Sequence, residues 1–287
     1  MTALLPERLN YAIARRCVVE CPGCYESFGR NEPDRPAFVR SAAAFASLGV
    51  TALTLSGGDP LLLSQPLDWI ADMRAAGMRH MKLDTVGVGL LAPHRPGAPT
   101  VHQILAAVDA LAIPLDGWSD SSALQFRHGV ATLHSRTVAL LRALDAEAAP
   151  GQLVVNTVVH AGNFNGIERM VPIVLGLRRL GRWNLFQYTP TDQARPGAND
   201  AFAVSDAAFA AASEALRVSC GGDMRVEARS VANRLGDYLL VNSDGEAWLP
   251  DTNGRTIALG TVFAREVGVL ERWAEVAGRL REQQASA

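Results

Sequence analysis

Cys17-Val18-Val19-Glu20-Cys21-Pro22-Gly23-Cys24-Tyr25 packs three thiols into a short run, and the chain's only other cysteine, Cys220, lies about 200 positions away. A secreted disulfide scaffold is shorter and richer in cysteine, so clustered thiols of this kind read as metal ligands in a reducing compartment. Three thiolates on one loop can hold three irons of a [4Fe–4S] cube, leaving the fourth iron open to a ligand that is not protein. Zinc is the alternative, and a closed zinc site needs a fourth protein ligand, which Cys220 or a histidine would have to supply. Spacing by itself leaves both readings open.

A second group able to do chemistry is Ser56-Gly57-Gly58-Asp59-Pro60, directly after the apolar run Ala52–Leu55. Paired glycines let backbone approach a ligand closely, and a carboxylate beside them accepts hydrogen bonds from an ammonium group. The basic residues are skewed: Lys82 is the sole lysine among 27 Lys+Arg, leaving 26 arginines. No Gly-Lys-Ser/Thr phosphate loop is present, and Schiff-base chemistry would have to use Lys82 because it needs an amine. Neither chemistry is suggested by its surroundings.

Alternating elements are expected to position these groups. Apolar, β-branched runs at Leu9–Ala14, Ala52–Leu55, His80–Leu83, Leu111–Leu115, Leu153–Val159 and Asn184–Tyr188 read as strands. Between them, Ala37–Ser47, Leu67–Ala76, Thr100–Val108, Val130–Ala146 and Ile167–Leu180 read as helices. The spacing matches βα units, so the expected fold is α/β, a parallel sheet curled into a partial (βα)6 barrel with mostly apolar strands covered on both faces. After Pro190 the rhythm changes: a helix capped by Ser205 runs to about Val218, a hairpin turns at Asn242–Gly245, and a terminal helix, about Arg265–Arg281, carries Val269, Trp273, Val276 and Leu280 on one stripe. The expected organisation is a barrel core over 1–190 and a C-terminal α+β extension over 191–287 packed on the barrel mouth.

Composition narrows the function. The 287 residues are 48% hydrophobic and carry a formal charge of -2, enough apolar matter for a large core and no excess charge for holding nucleic acid or anionic lipid. No apolar run approaches the ~20 residues of a membrane span, and Met1–Asn10 lacks the pattern of a secretory signal. A cytoplasmic protein without membrane or nucleic-acid partners is expected.

The Cys-x3-Cys-x2-Cys-aromatic run at the end of a first strand, followed by Gly57-Gly58-Asp59 after the second, resembles the radical S-adenosylmethionine (radical SAM) superfamily. Within it the layout is similar to viperin-like proteins. Leu83–Gly87, Ala112–Asp116 followed by Arg127, Val155–Val159 with Asn163, Arg182–Gln187, Val218–Cys220 and Tyr238–Val241 carry the likeness in collinear order. The resemblance implies a partial barrel, a [4Fe–4S] cluster on Cys17, Cys21 and Cys24, and S-adenosylmethionine (SAM) as the ligand of the open iron. It also implies an electron donor such as flavodoxin or ferredoxin.

The same resemblance assigns Gly57, Gly58, Asp59 and Pro60 to the amino end of SAM, Thr85 to its ribose or methionine part, Arg127 to its carboxylate and Tyr25 to the adenine. Asn156, Val158 and His160 share one strand face, which would place Asn156 near SAM and His160 near the substrate. His160, Asp116 and Tyr188 are the candidate catalytic residues. For each there is a plain alternative: Thr85 as a strand-end cap, Arg127 as a solvated arginine, Asn156 and His160 as satisfied structural groups, Asp116 as a turn cap. Cys220 reads as a small buried hydrophobe.

Family chemistry implies reductive cleavage of SAM to a 5′-deoxyadenosyl radical that takes a hydrogen atom from the substrate. Where relatives place basic residues for a triphosphate this chain has Val154, Ala161 and Asn184, which favours another small molecule, as on a natural-product pathway. Arg225, Arg229 and Arg234 are possible replacements, so a nucleotide is the alternative substrate, and a modified peptide a further one. A non-catalytic zinc or iron–sulfur protein is the rival of a different class.

Overall fold

Each strand of the barrel alternates between two environments. Leu9, Tyr11 and Ile13, Leu53 and Leu55, Met81 and Leu83, Leu111 and Ile113, Leu153 and Val155, and Trp183 and Leu185 are buried outward, beneath the helices. The intervening Arg8, Asn10, Thr54, Ser56, Lys82, Asp84, Asn156, Arg182 and Asn184 turn to the inside, as the two-residue period of a strand requires. The strands are therefore half polar, not apolar on both faces, and the bore of the barrel is not filled by branched side chains as in a closed eight-stranded barrel.

These observations come from a computed structural model, which describes residues 4–26, 29, 32–91, 98–221, 225–251 and 253–285. The order is β1 (Arg8–Ala14), α1 (Arg35–Ser47), β2 (Ala52–Gly57), α2 (Pro66–Ala75), β3 (His80–Asp84), α3 (Val88–Leu91), α4 (Val101–Ala107), β4 (Ala110–Pro114), α5 (Asp120–Ala123), α6 (Leu133–Ala146), β5 (Gln152–Val159), α7 (Val171–Leu175) and β6 (Leu180–Gln187). Then come α8 (Ala198–Phe202), α9 (Asp206–Ser219), β7 (Val226–Arg229), α10 (Val231–Arg234), β8 (Tyr238–Val241), β9 (Glu246–Pro250), β10 (Thr256–Thr261) and α11 (Glu266–Ala285). Helix starts are chemically marked: Asp34 accepts from the Ala37 amide, Thr100 and Gln103 form a capping box, and Ser205 accepts from the Ala208 amide.

One sheet has the order β10-β9-β8-β1-β2-β3-β4-β5-β6-β7. β1 to β6 pair in sequence, all parallel, as the α/β reading expected. Residues after 190 extend this sheet on both edges: β7 lies parallel to β6, and β8 lies parallel to β1. β9 and β10 follow as antiparallel strands.

Two sequence expectations change. Ile167–Leu180 is not one helix: a 3₁₀ stretch at Phe164–Met170 leads into the five-residue α7, which Gly176 ends, and β6 already begins at Leu180. β7 was not anticipated, because Val226-Glu227-Ala228-Arg229 is too short and polar to show a period.

α11 lays its expected stripe down: Val269, Trp273, Val276 and Leu280 are all buried, and the Trp273 indole N–H donates to the Tyr238 carbonyl at 3.0 Å. This indole anchors the first residue of β8, and through it the edge of β1. Trp273→Ala should lower unfolding free energy by about 3–5 kcal/mol. Arg272→Ala, on the exposed face beside it, should change it by about 0.5 kcal/mol or less. Urea denaturation of both variants checks the contrast.

Candidate active site

The C-terminal end of β1 bulges between Ala12 and Ala14 and passes directly into the cysteine loop. Two backbone bonds clasp this segment to the glycine turn: Gly58 N–H to the Ala14 carbonyl and Asp59 N–H to the Arg16 carbonyl, both 2.7 Å. A Cβ on Gly57 or Gly58 would overlap the Ala14 or Arg16 carbonyl oxygen, and Gly57 has φ +118. Glycine is thus required by close approach of two backbones.

The loop is tied down on its other sides. Val19 packs with Val86 and Leu133, with Cys17 and Cys21 against them. Glu20 and His128 exchange two backbone hydrogen bonds, 3.0 and 3.1 Å. The Arg195 amide donates to the Pro22 carbonyl, and its guanidinium to Glu20. Gly23 lies against the Tyr188 ring, and the Tyr25 ring leans on Trp248 with centroids 5.8 Å apart.

A cavity of about 430 Å³ opens beneath the loop. Cys21, Cys24, Tyr25, Gly57, Gly58, Thr85, Arg127, Asn156 and Tyr188 line it, so most of the groups expected at the site share one space. Cys17 stands at the base of the loop beside the Val19 cluster. Arg127 is pinned by an ion pair from its Nε to Asp116 and donates from Nη1 to Cys21 Sγ at 3.6 Å. Burial works against the Arg127 charge, but the Asp116 carboxylate more than restores it.

Other candidates stand behind the lining. Asp59 is fully buried, accepting from the Leu61 amide and from the Thr85 hydroxyl; it caps the turn Pro60–Leu62. Thr85 also accepts from the Gly87 amide. Asp116 accepts from the Val158 amide at 2.6 Å as well as from Arg127, so both its oxygens are engaged. β5 ends at Val159, so the two-residue period does not carry to His160, which stacks on Phe126 at 4.9 Å and meets Phe202 edge-on. Tyr188 faces the cavity with its hydroxyl donating to Asn199, whereas the Gln187 side chain donates to Asp206 and the Val204 carbonyl. Asn156 accepts from Asn184 Nδ2 at 2.9 Å.

Sequence reasoning missed most of the charged bore: Arg8, Lys82, Asp84 and Arg182 also line the cavity, beside Arg229 and Arg234. The signal available was a polar residue at alternate positions of β1, β2, β3 and β6.

The donor set fits a cluster. None of the three loop cysteines is in a disulfide, and burial pushes the Cys17 thiol up to about 11 and the Cys24 thiol up to about 12. A bound cationic metal offsets that cost by ligating thiolates. Among the described residues no three His, Cys, Asp or Glu side chains converge as a single-ion site. A cubane takes each thiolate on a different iron. Cys220 is buried in the main hydrophobic core and does not line the cavity.

The sequence matches no known family description. Individual proteins do match. Over 188 residues the chain is 28% identical to a PqqA peptide cyclase of Ruegeria pomeroyi, covering 63% of this chain and 47% of that protein. Over 179 residues it is 30% identical to a GTP 3′,8-cyclase of a Synechococcus species, covering 58% and 50%. The chain thus spans about half the length of the curated relatives it matches. Among solved structures, Streptococcus suis SuiB bound to S-adenosylmethionine superposes with a TM-score of 0.71 at 14% identity, over 96% of this chain and 68% of that one. The enzyme anSMEcpe with bound AdoMet gives 0.66 at 10% identity, over 94% and 82%. The fold is the partial barrel of the radical SAM enzymes. The relatives and solved neighbours that the chain resembles are radical SAM enzymes, which use a [4Fe–4S] cluster and SAM. No helix among the described residues is long and apolar enough to cross a membrane.

His160 supplies a test of the packing behind the site. Burial draws its imidazole down to about 4, so between pH 6.5 and 4 the unfolded chain binds the proton that the folded chain refuses. Stability should fall as pH drops through that window, by about 3 kcal/mol from this group. Chemical denaturation at pH 7 and pH 4.5 should show a smaller loss for His160→Asn than for the unsubstituted protein.

Proposed function

We propose that this chain is a radical SAM enzyme whose cluster sits on Cys17, Cys21 and Cys24 and whose substrate enters the polar bore of the barrel. The observation that carries the reading is that Cys21 and Cys24 share one cavity with the glycine turn, Arg127 and Asn156. A cluster bound there would supply the electron that splits SAM into methionine and a 5′-deoxyadenosyl radical, which takes a hydrogen atom from the substrate.

The chain's own residues hold and exclude. Gly57 and Gly58 present backbone to the cavity for a ligand's amino end, and Arg127, fixed by Asp116, offers its remaining guanidinium edge to a carboxylate beside the cysteines. Thr85 and Asn156 line the cavity between the glycine turn and the inner wall, and Tyr188 shields the loop from the far side. His160 and Asp116 act as positioning residues, since one is sealed behind Phe126 and the other has both oxygens engaged. An electron donor such as flavodoxin or ferredoxin would act on the cluster from outside.

The substrate reading favours a polar small molecule held inside the barrel. The positive charge expected to be missing at Val154, Ala161 and Asn184 is made good by other groups: Arg229 and Arg234 line the cavity together with Arg8, Lys82 and Arg182, while Arg225 lies largely exposed against Glu227. That returns a nucleotide to consideration on chemical grounds. A peptide is the second reading, favoured by the likeness to PqqA peptide cyclases and to SuiB, which has been solved with its precursor peptide SuiA.

Anaerobic reconstitution with iron and sulfide should give about four irons per chain and, with SAM and dithionite, 5′-deoxyadenosine detectable by liquid chromatography. Cys21→Ser and Cys24→Ser should each abolish product formation and deplete iron. Colourless protein with one zinc would instead support a binding protein.

A further inference from the structure

Besides Arg127, five basic side chains face the bore: Arg8, Lys82, Arg182, Arg229 and Arg234. Against them stand three carboxylates. Asp84 pairs with Lys82 at 2.8 Å; Glu227 is shared between Arg229 at 2.7 Å and Arg182 at 3.5 Å, with the exposed Arg225 also on it; Glu7 lines the space without an ion pair of its own among the described residues. Glu26, at the cysteine loop, also faces the cavity, a fourth carboxylate against the five basic groups. Positive charge is in excess.

Arg234 has no carboxylate within 4 Å among the described residues. Its Nε donates to the Ser230 carbonyl, and one Nη to the Gln187 carbonyl and the Thr189 hydroxyl; the guanidinium carbon lies 5.3 Å from the centre of the Phe186 ring. The hydrogen bonds hold the guanidinium in place without neutralising it. Burial draws it down only to about 10, so it stays charged at neutral pH. A half-buried guanidinium with no carboxylate in contact favours an anionic partner from outside the chain.

Unpartnered polar atoms lie on the same wall. Asn184, 3% exposed, gives its amide N–H to Asn156 but leaves its Oδ1 buried without a partner. Arg182 Nε is buried and unpartnered too. β6 presents both residues to the cavity at successive inward positions, and Phe186, two residues on, is paired in register with Arg229 of β7. Buried polar groups in folded proteins are nearly always satisfied, and a ligand is one way to satisfy them.

We propose that the wall formed by β6, β7 and α10, with Arg182, Arg229 and Arg234, is an anion-binding subsite that holds a carboxylate or phosphate of the substrate. This rests on the reading of the cavity as a substrate chamber. The guanidinium forks suit the planar oxygens of a carboxylate and the tetrahedral oxygens of a phosphate alike. Asn184 Oδ1 accepts a donor from the same molecule, so the substrate bears a hydroxyl or amine near its anionic group.

Isothermal titration of the full chain, reconstituted and with SAM present, decides the matter with two probes, malonate and inorganic phosphate, at ionic strength matched with chloride. One saturable site per chain is expected. Tighter malonate assigns a carboxylate and tighter phosphate a phosphorylated substrate. Arg234→Gln and Arg229→Gln should each weaken the preferred probe at least tenfold, with folding checked by circular dichroism. Arg234→Lys, which keeps the charge but not the fork, should weaken it several-fold. Heat no greater than that of chloride, or binding unchanged in every folded variant, overturns the subsite. The titration is repeated on the chain before reconstitution. A protein that takes up no iron but still binds the anion counts against the radical SAM reading alone.

Discussion

Contact between two stretches of bare backbone, 14–16 after the first strand and 57–59 after the second, governs the rest of the site. Two 2.7 Å hydrogen bonds join them, and neither glycine has room for a methyl group. Because the cysteine loop leaves directly from one stretch and the turn Pro60–Leu62 from the other, the separation of thiols and glycines is set by main-chain geometry, not by side-chain packing. Asp59 extends the same constraint inward: its carboxylate caps the turn and receives the Thr85 hydroxyl, coupling the ends of three strands.

The second organising fact is a bore lined with charge. A closed eight-stranded barrel is ordinarily stabilised by filling its centre with apolar side chains, and here the inward positions carry arginines, asparagines, a lysine and carboxylates instead. Stability comes from the outer face, where Tyr11, Phe38, Trp69, Trp183 and their neighbours form one continuous buried cluster under the helices. The interior is free to be polar because it contributes little to that cluster. The lone lysine of the chain, Lys82, makes sense only in this context, as one half of an internal ion pair with Asp84.

What the sequence disclosed followed from local chemistry. Cys17, Cys21, Cys24 and Gly57-Gly58 were legible because their roles need particular residue types at short spacing, and six strands were legible from their apolar, β-branched composition. Groups set by long-range geometry were not. His160 was placed by extrapolating a strand that stops at Val159, and Asp116 and Arg127 were read as separate candidates although they form one buried pair. Arg229 and Arg234 were named only as possible replacements, since a four-residue strand and a four-residue helix give no periodic signal. Even so, one rule applied strand by strand would have exposed the bore: a polar residue at every second position implies a polar space.

The pairing of β8 with β1 bears on how the molecule is made. Residues Tyr238–Val241 supply the neighbour of the strand that launches the cysteine loop, so on the ribosome that strand emerges long before its partner exists. Until then one flank of β1 is an open edge carrying unpaired amides and carbonyls beside three reactive thiols, the kind of surface that sticks to other nascent chains. Final shaping of the loop therefore waits until Tyr238–Val241 have left the ribosome, long after the cysteines themselves.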